Sequence, residues 1–234
     1  MNILAIIPAR GGSKGIKRKN LISIKGKPLI AYSIEHALNS KHINRVIVSS
    51  EDDEILAAAV QYGAEVPFKR PKELAEDHVL DFPVFEHALN FLKEKENYEP
   101  DVVVHLRPTC PFRKPEWIDQ CVERLIQNPE ADSLRSVSEV KQHPYRVFTI
   151  DQNGMLLPVM LHEHPLPYLL RRQDLPKMYY YNCVIDVTRP KTILEKRSMT
   201  GDRLLPFVID PDDVIDIDAP DDLKILEVLF KDRL

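Results

Sequence analysis

The sequence predicts an α/β fold: a doubly wound, mostly parallel sheet with a small lobe set into it. Three observations carry that expectation. Apolar strand-like runs alternate with helical periods over the first 140 residues. A loop rich in glycine and cations follows the first run directly. Near residue 138 the alternation stops and prolines replace helical periodicity. Alternation of this kind implies parallel strands with helices on both faces. In such sheets ligands bind beyond the carboxyl ends of the strands, where the glycine loop falls.

Strands are expected over residues 2–7, 45–49, 64–68, 101–106 and 132–137. Between them, Ile30, Ile34, Ala37 and Leu38 share one helical face. Phe85, Ala88 and Leu92 share another, as do Ile118, Cys121, Val122 and Leu125. Ser50 with Asp53 reads as an N-cap signal, and Gly63 sits where a C-cap would. Residues 143–178 hold five prolines and a turn signal at Asn153-Gly154, which predicts extended arms forming a lobe or an oligomer contact. An aromatic strand over 179–187, a Pro/Asp-rich segment and a closing helix over 219–231 complete the chain. Residues 1–234 thus read as one domain, with 140–180 as an inserted lobe.

A chain of 234 residues buries a full core. Its 44% hydrophobic and 29% charged content is ordinary for a soluble globular protein. A net charge of −4 argues against broad nucleic-acid binding, which wants a basic face. The three cysteines are widely spaced with no C-x-x-C, so neither a disulfide framework nor a zinc site is indicated, and a reducing cytoplasm fits best. Pro8 and Arg10 interrupt the first apolar run, leaving it too short for a signal peptide or a membrane span. Lys17-Arg18-Lys19 is too short to read as a nuclear signal.

Three of the seven glycines lie between positions 11 and 15. Glycine lets backbone N–H groups approach a ligand closely, while Arg10, Lys14 and Lys19 supply positive charge. With Gly11, Gly12, Ser13 and Asn20 they suit a polyphosphate; the bland alternative is a solvated basic turn. The spacing matches neither the P-loop nor the dinucleotide fingerprint. Near the other end, Ile215-Asp216-Ile217-Asp218 reads as a strand whose two carboxylates share a face roughly 7 Å apart. That pair suits Mg²⁺, which fills its shell with phosphate oxygens and water; an acidic, solvent-facing strand is the plain alternative. Arg70 through Asp77 leads into a loop where Arg70 either reaches a ligand or makes a surface ion pair. Two prolines stiffen Arg107-Pro108-Thr109-Cys110-Pro111-Phe112-Arg113 and leave Arg107 and Arg113 at the ligand-facing end. Cys110 reads as a small buried hydrophobe, and His162 and His164 as structural.

In their order and spacing these segments resemble the CMP-sialic acid synthetases, the acylneuraminate cytidylyltransferases, over nearly the whole length. The resemblance implies a Rossmann-like nucleotidyltransferase that uses Mg²⁺ to couple CTP to a nonulosonic or related 3-deoxy-2-keto sugar acid. Pro8-Ala9-Arg10 through Lys19-Asn20 matches the element that holds the triphosphate. Arg70-Pro71, Leu74-Ala75 and Asp77 match one at the nucleotide base. Pro108-Thr109, Pro111 and Arg113 match a third. His143-Pro144-Tyr145-Arg146 looks like an arm that delivers a cation to a partner subunit. Arg172-Gln173, Leu175-Pro176 and Asn182 resemble the sugar-facing stretch, and Asp216 with Asp218 the magnesium motif. The expected catalytic groups are Arg10, Lys19, Asp216 and Asp218. The expected sugar contacts are Arg107, Thr109, Arg146, Arg172, Gln173 and Asn182, and a homodimer is implied.

The departures from the family pattern cluster on the sugar side. Arg107 stands where sialate enzymes have glutamine, Asp81 where they carry a small hydroxyl residue, Tyr180 for an arginine, and Cys183 for the glycine after the asparagine. Asp81 is expected to pair with Arg107 or to meet the sugar, which points away from N-acetylneuraminate. The alternatives are a CMP-Kdo-type enzyme, a sugar-1-phosphate nucleotidyltransferase, or a silent nucleotide-binding protein. The last would lack a phosphate cation or a metal carboxylate, and both sets are present.

Overall fold

The computed structural model describes residues 1–160 and 166–232, so His162 and His164 lie outside the described residues. In chain order the strands are β1 (Ile3–Pro8), β2 (Ser23–Ile24), β3 (Lys27–Pro28), β4 (Arg45–Ser49), β5 (Val102–His105) and β6 (Ser133–Glu139). They continue with β7 (Phe148–Ile150), β8 (Leu156–Pro158), β9 (Tyr179–Thr188) and β10 (Leu204–Val208). The helices are α1 (Leu29–Leu38), α2 (Asp53–Gln61), α3 (Asp81–Glu96), α4 (Pro115–Ile126), α5 (Pro190–Leu194) and α6 (Pro220–Asp232).

Among the described residues the central sheet has six strands in the order β10-β6-β9-β5-β1-β4. β1 runs parallel to β4 and β5, and β6 parallel to β10, while β9 is antiparallel to both its neighbours. Strand alternation builds two cores. Ile3, Ala5 and Ile7 face α1, α2 and α4, whereas Leu4 and Ile6 face α3 and α5. Both faces of the sheet are therefore dry, as a doubly wound fold requires. A third cluster sits at the carboxyl end of β1, where Ile16, Ile24, Leu29, Ile217 and Leu226 pack together. It joins the glycine loop, the acidic segment and α6.

Some expectations change. Residues 64–68 add only one bridge, Ile47 to Glu65, to the edge of β4; Pro67, lacking an N–H, ends the pairing. Leu204–Val208, not anticipated, forms an edge strand that tolerates Pro206 because its outer side needs no partner. The acidic segment before α6 is extended but belongs to no strand. Asp52, rather than Ser50, caps α2, accepting from the N–H of Glu54 and Ile55 at 3.0 and 3.1 Å. Gly63 follows the last turn at φ +92°, as a C-cap glycine should. In the lobe, β7 and β8 make a hairpin around Asn153-Gly154, with Gly154 at φ +81°.

Candidate active site

A cavity of about 520 Å³ opens beyond the carboxyl ends of β1 and β5. The chain leaves β1 at Pro8, and Arg10, Ser13, Lys14, Lys19 and Asn20 line one side. Asn20 is buried and donates to the Arg10 carbonyl at 2.9 Å, which closes the loop on itself. The glycines act differently from the expectation. Gly11 and Gly12 are not in the cavity wall; the Gly11 amide donates to Glu51 Oε1 at 2.7 Å. A Cβ on Gly11 would stand 2.7 Å from Asp52 Oδ2, so this glycine serves packing. Gly15 lets the loop touch the acidic segment, because a Cβ there would fall 2.3 Å from the Asp218 carbonyl oxygen.

That approach brings Asp216 and Asp218 to the same wall. The Ile217 N–H donates to the Thr109 carbonyl at 3.0 Å, and Ile217 is fully buried. The alternation expected of a strand therefore survives without a ladder: Ile217 turns inward and its two neighbours face the cavity. Burial, with the charge of Asp218 adding to it, raises the pKa of Asp216 above the ordinary carboxylate value, against a hydrogen bond from Thr109. Two crowded carboxylates, one half-buried, form a hard oxygen donor set that a divalent cation would relieve. Among the described residues no group of three or more potential ligands exists, so phosphate and water would complete such a shell. Lys19 donates to Asp218 Oδ1 and to the Ile217 carbonyl, both at 2.8 Å.

Asp77 closes on the loop, its carboxylate 2.8 Å from Arg10 and 2.5 Å from Lys14. An incoming triphosphate would compete with it for these cations. Arg70 is no surface ion pair. It is buried at the cavity wall and bonded to both Ser49 oxygens, and burial lowers its pKa to about 10, so it stays charged. Arg113, unlike Arg70, does not line the cavity. It is buried and donates to Val184 O, Ser33 Oγ and Arg107 O at 2.7 to 2.9 Å, tying strand ends together.

Arg107 and Thr109 do line the cavity. Arg107 pairs with Asp81 at 2.7 Å, as expected, and also with Asp186 at 2.7 Å. Sequence reasoning missed Asp186, which looks like one more polar residue in a strand. Asn182 departs from its expected sugar contact. It is buried, its Oδ1 accepting from Ser136 Oγ at 2.6 Å and its Nδ2 donating to Ser138 Oγ at 2.9 Å. It spans an irregularity between β6 and β9, and the following Cys183 faces the cavity at φ +61°. Arg146, Arg172 and Gln173 line a second cavity of about 400 Å³ in the lobe, with Lys141 and His143.

A loop of cations facing a carboxylate pair beyond the strand ends of a doubly wound sheet is the layout of a nucleotidyltransferase, and the chain is an enzyme of that class. Residues 4–210 match the cytidylyltransferase family, and the chain belongs to it. It is 37% identical to pseudaminic acid cytidylyltransferase of Campylobacter jejuni over 99% of this chain and 97% of that one. It is 35% identical to CMP-N,N'-diacetyllegionaminic acid synthase of Legionella pneumophila, over 99% and 97%. A solved structure of CMP:2-keto-3-deoxy-manno-octonic acid synthetase complexed with CTP shares the fold, with TM-score 0.72 at 18% identity over the whole of both chains.

Proposed function

We propose that this cytidylyltransferase couples CTP to a nonulosonic acid, a 3-deoxy-2-keto sugar acid, releasing the CMP-sugar and pyrophosphate, with Mg²⁺ as cofactor. The observation that carries the reading is the single cavity in which Arg10, Lys14 and Lys19 meet Asp216 and Asp218. The anomeric hydroxyl oxygen attacks the α-phosphorus, its proton leaves, and the bond to the pyrophosphate oxygen breaks. Arg10 and Lys14 hold the β- and γ-phosphates in place of Asp77, while Lys19 anchors the acidic segment. Asp216 and Asp218 would hold the cation, which supplies charge neutralisation and polarises the phosphate. The protein's part is mainly orientation and fixed charge.

The lobe supports a homodimer. Ile150, Met155, Leu156 and Leu157 are exposed on or beside the hairpin, more apolar surface than a small solvated arm needs. Arg146, Arg172 and Gln173, separate from this chain's own cleft, would then serve a partner's. Sedimentation equilibrium expects a dimer, and a monomer at working concentration refutes it. No helix among the described residues is long and apolar enough to cross a membrane. We place the reaction in the cytoplasm, where the three free thiols stay reduced.

The test crosses CTP, UTP, GTP and ATP with nonulosonic acids, Kdo and sugar 1-phosphates, with and without Mg²⁺. Pyrophosphate release and the CMP-sugar mass are followed. Turnover with CTP, a nonulosonic acid and Mg²⁺ is expected; faster turnover of Kdo or a sugar 1-phosphate overturns the reading.

A further inference from the structure

Two kinds of ion pair meet in this cleft. On its inner wall Asp186, whose side chain has no exposed surface, is 2.7 Å from Arg107 and 2.7 Å from Arg135. His105, kept neutral by its burial, lies 3.6 Å from the same carboxylate. Removing a partner there strands a buried charge, so these pairs are permanent. At the mouth, Asp77 bridges two cations of the glycine loop, with one oxygen on Arg10 at 2.8 Å and the other on Lys14 at 2.5 Å. All three side chains line the cavity and reach water, Asp77 with 44% of its side chain exposed.

Asp77 sits where such a contact is easily released. It lies in a surface turn between the single 3₁₀ turn over Lys72–Ala75 and α3, closed by the Val79 N–H donating to the Glu76 carbonyl at 3.1 Å. Its side chain takes no part in that framework. Asp52 caps α2, but no side chain caps α3. Among the described residues Arg10 and Lys14 are the only partners of Asp77. The hydrogen bond from Lys14, with the charge of both cations, holds its carboxyl below the ordinary carboxylate value, so it stays ionised. Nothing in the fold besides these two cations calls for a carboxylate at this position. Its two oxygens offer them what two phosphate oxygens would. A carboxylate has one charge and holds exposed cations weakly, whereas a polyphosphate has several and holds them better.

We propose that Asp77 is an exchangeable counter-anion of the phosphate subsite: it holds Arg10 and Lys14 between turnovers, weakens polyphosphate binding and favours the departure of pyrophosphate. The inference rests on reading this cleft as the triphosphate site. It reverses the sign expected of a residue that contacts the nucleotide, because losing Asp77 should tighten anion binding.

The test titrates inorganic tripolyphosphate, which carries the phosphates without base or sugar, into the purified protein by calorimetry, and measures pyrophosphate as a competitive inhibitor against CTP. An exposed ion pair is worth up to about fivefold in an equilibrium. Asp77→Asn should therefore lower the tripolyphosphate dissociation constant by about three- to twentyfold, and the pyrophosphate inhibition constant in the same direction. Glu76→Gln is the control. It removes an equal charge from the same cavity wall, but Glu76 lies against His78, 3.5 Å away, and not against the loop cations. It should move both constants less than twofold. Unchanged or weaker tripolyphosphate binding in Asp77→Asn, or an equal gain in Glu76→Gln, overturns the inference while leaving CTP-dependent turnover standing. Failure of the unmodified protein to bind either tripolyphosphate or CTP overturns both.

Discussion

At the mouth of the cleft, charged groups stand partly in water: the side chain of Asp218 is 72% exposed, that of Lys14 75% and that of Arg10 33%. At the inner wall, the Asp186 side chain is fully buried and Arg107 shows only 20% of its own. The mouth holds its charges in exchangeable pairs that a multiply charged ligand can replace. The inner wall spends its charges on one another. Exposed pairs hold each other weakly, whereas breaking a buried pair strands a charge in a poor solvent. One region is therefore suited to gripping and releasing phosphates, the other to presenting a fixed hydrogen-bond pattern.

The largest effect should come from the carboxylate pair. Asp218→Asn removes a charge from the donor set proposed for the cation and one end of the Lys19 contact. We expect a loss of several kcal/mol in transition-state stabilisation. Melting temperature should barely move, because the side chain is mostly in water. Steady-state kinetics over a magnesium titration check this, and near-normal turnover at low magnesium refutes the assignment.

Next come the cations, which the structure separates. Arg10→Ala and Lys19→Ala should each lose about 1.5–3 kcal/mol, the usual worth of a charge-assisted contact. Among the described residues Arg10 pairs only with Asp77 at the cleft, so its loss should fall on CTP affinity. Lys19 holds the acidic segment, so its loss should also raise the magnesium concentration needed for half-maximal rate. Identical profiles for the two variants would erase that distinction.

The mouth was legible in the sequence and the wall was not, for a physical reason. Arg10, Lys14, Lys19, Asp216 and Asp218 lie in two short segments whose composition is unusual locally, and local composition is what a sequence displays. The same holds for β1, β4, β5 and the four long helices before residue 130, where periodicity and partner agree. Asp186 and Arg135 acquire meaning only when β5, β6 and β9 lie in register. Asn182 was expected at the sugar only through the family resemblance, whereas a bulge turns its amide into the sheet. Gly11 and Gly12 were expected at the ligand but lie outside the cavity wall, and what demands glycine at Gly11 and Gly15 is the close approach of Asp52 and of the Asp218 backbone.

The inner wall also predicts an acid sensitivity that the mouth should lack. Burial, with the neighbouring charges of Arg107 and Arg135 assisting, lowers the pKa of His105 well below its ordinary value. Neither ring nitrogen has a hydrogen-bond partner among the described residues. The unfolded chain therefore takes up this proton near the usual histidine range, about pH 6.5, and the folded protein does not. Stability from this group is full above that range and falls as pH drops below it, by at most about 1.4 kcal/mol per pH unit. His105→Leu, packed on Phe85, should flatten the slope of unfolding free energy against pH by up to one proton. Urea titrations from neutral to mildly acidic pH measure it, and an unchanged slope would mean that the wall takes up the proton when folded.

The smallest effect concerns the join between the two regions, where Cys183 faces the cavity with its backbone in the left-handed region. A side chain there is strained by roughly 1 kcal/mol or more, which is why the sialate enzymes' glycine fits this position. Cys183→Gly relieves that strain but gives the unfolded chain about 0.5–1 kcal/mol of extra freedom. The two nearly cancel, so its stability should lie within about 0.5 kcal/mol of the parent. Cys183→Val places a β-branched side chain at positive φ and should lose roughly 1–2 kcal/mol, since branching at Cβ is least tolerated there. Removing the thiol should leave the Arg107–Asp186 contacts intact, so the glycine variant should keep its preference among sugar acids. Equal stability of the glycine and valine variants would show that the irregularity relaxes freely. The inner wall would then owe its fixed shape to the buried ion pairs alone.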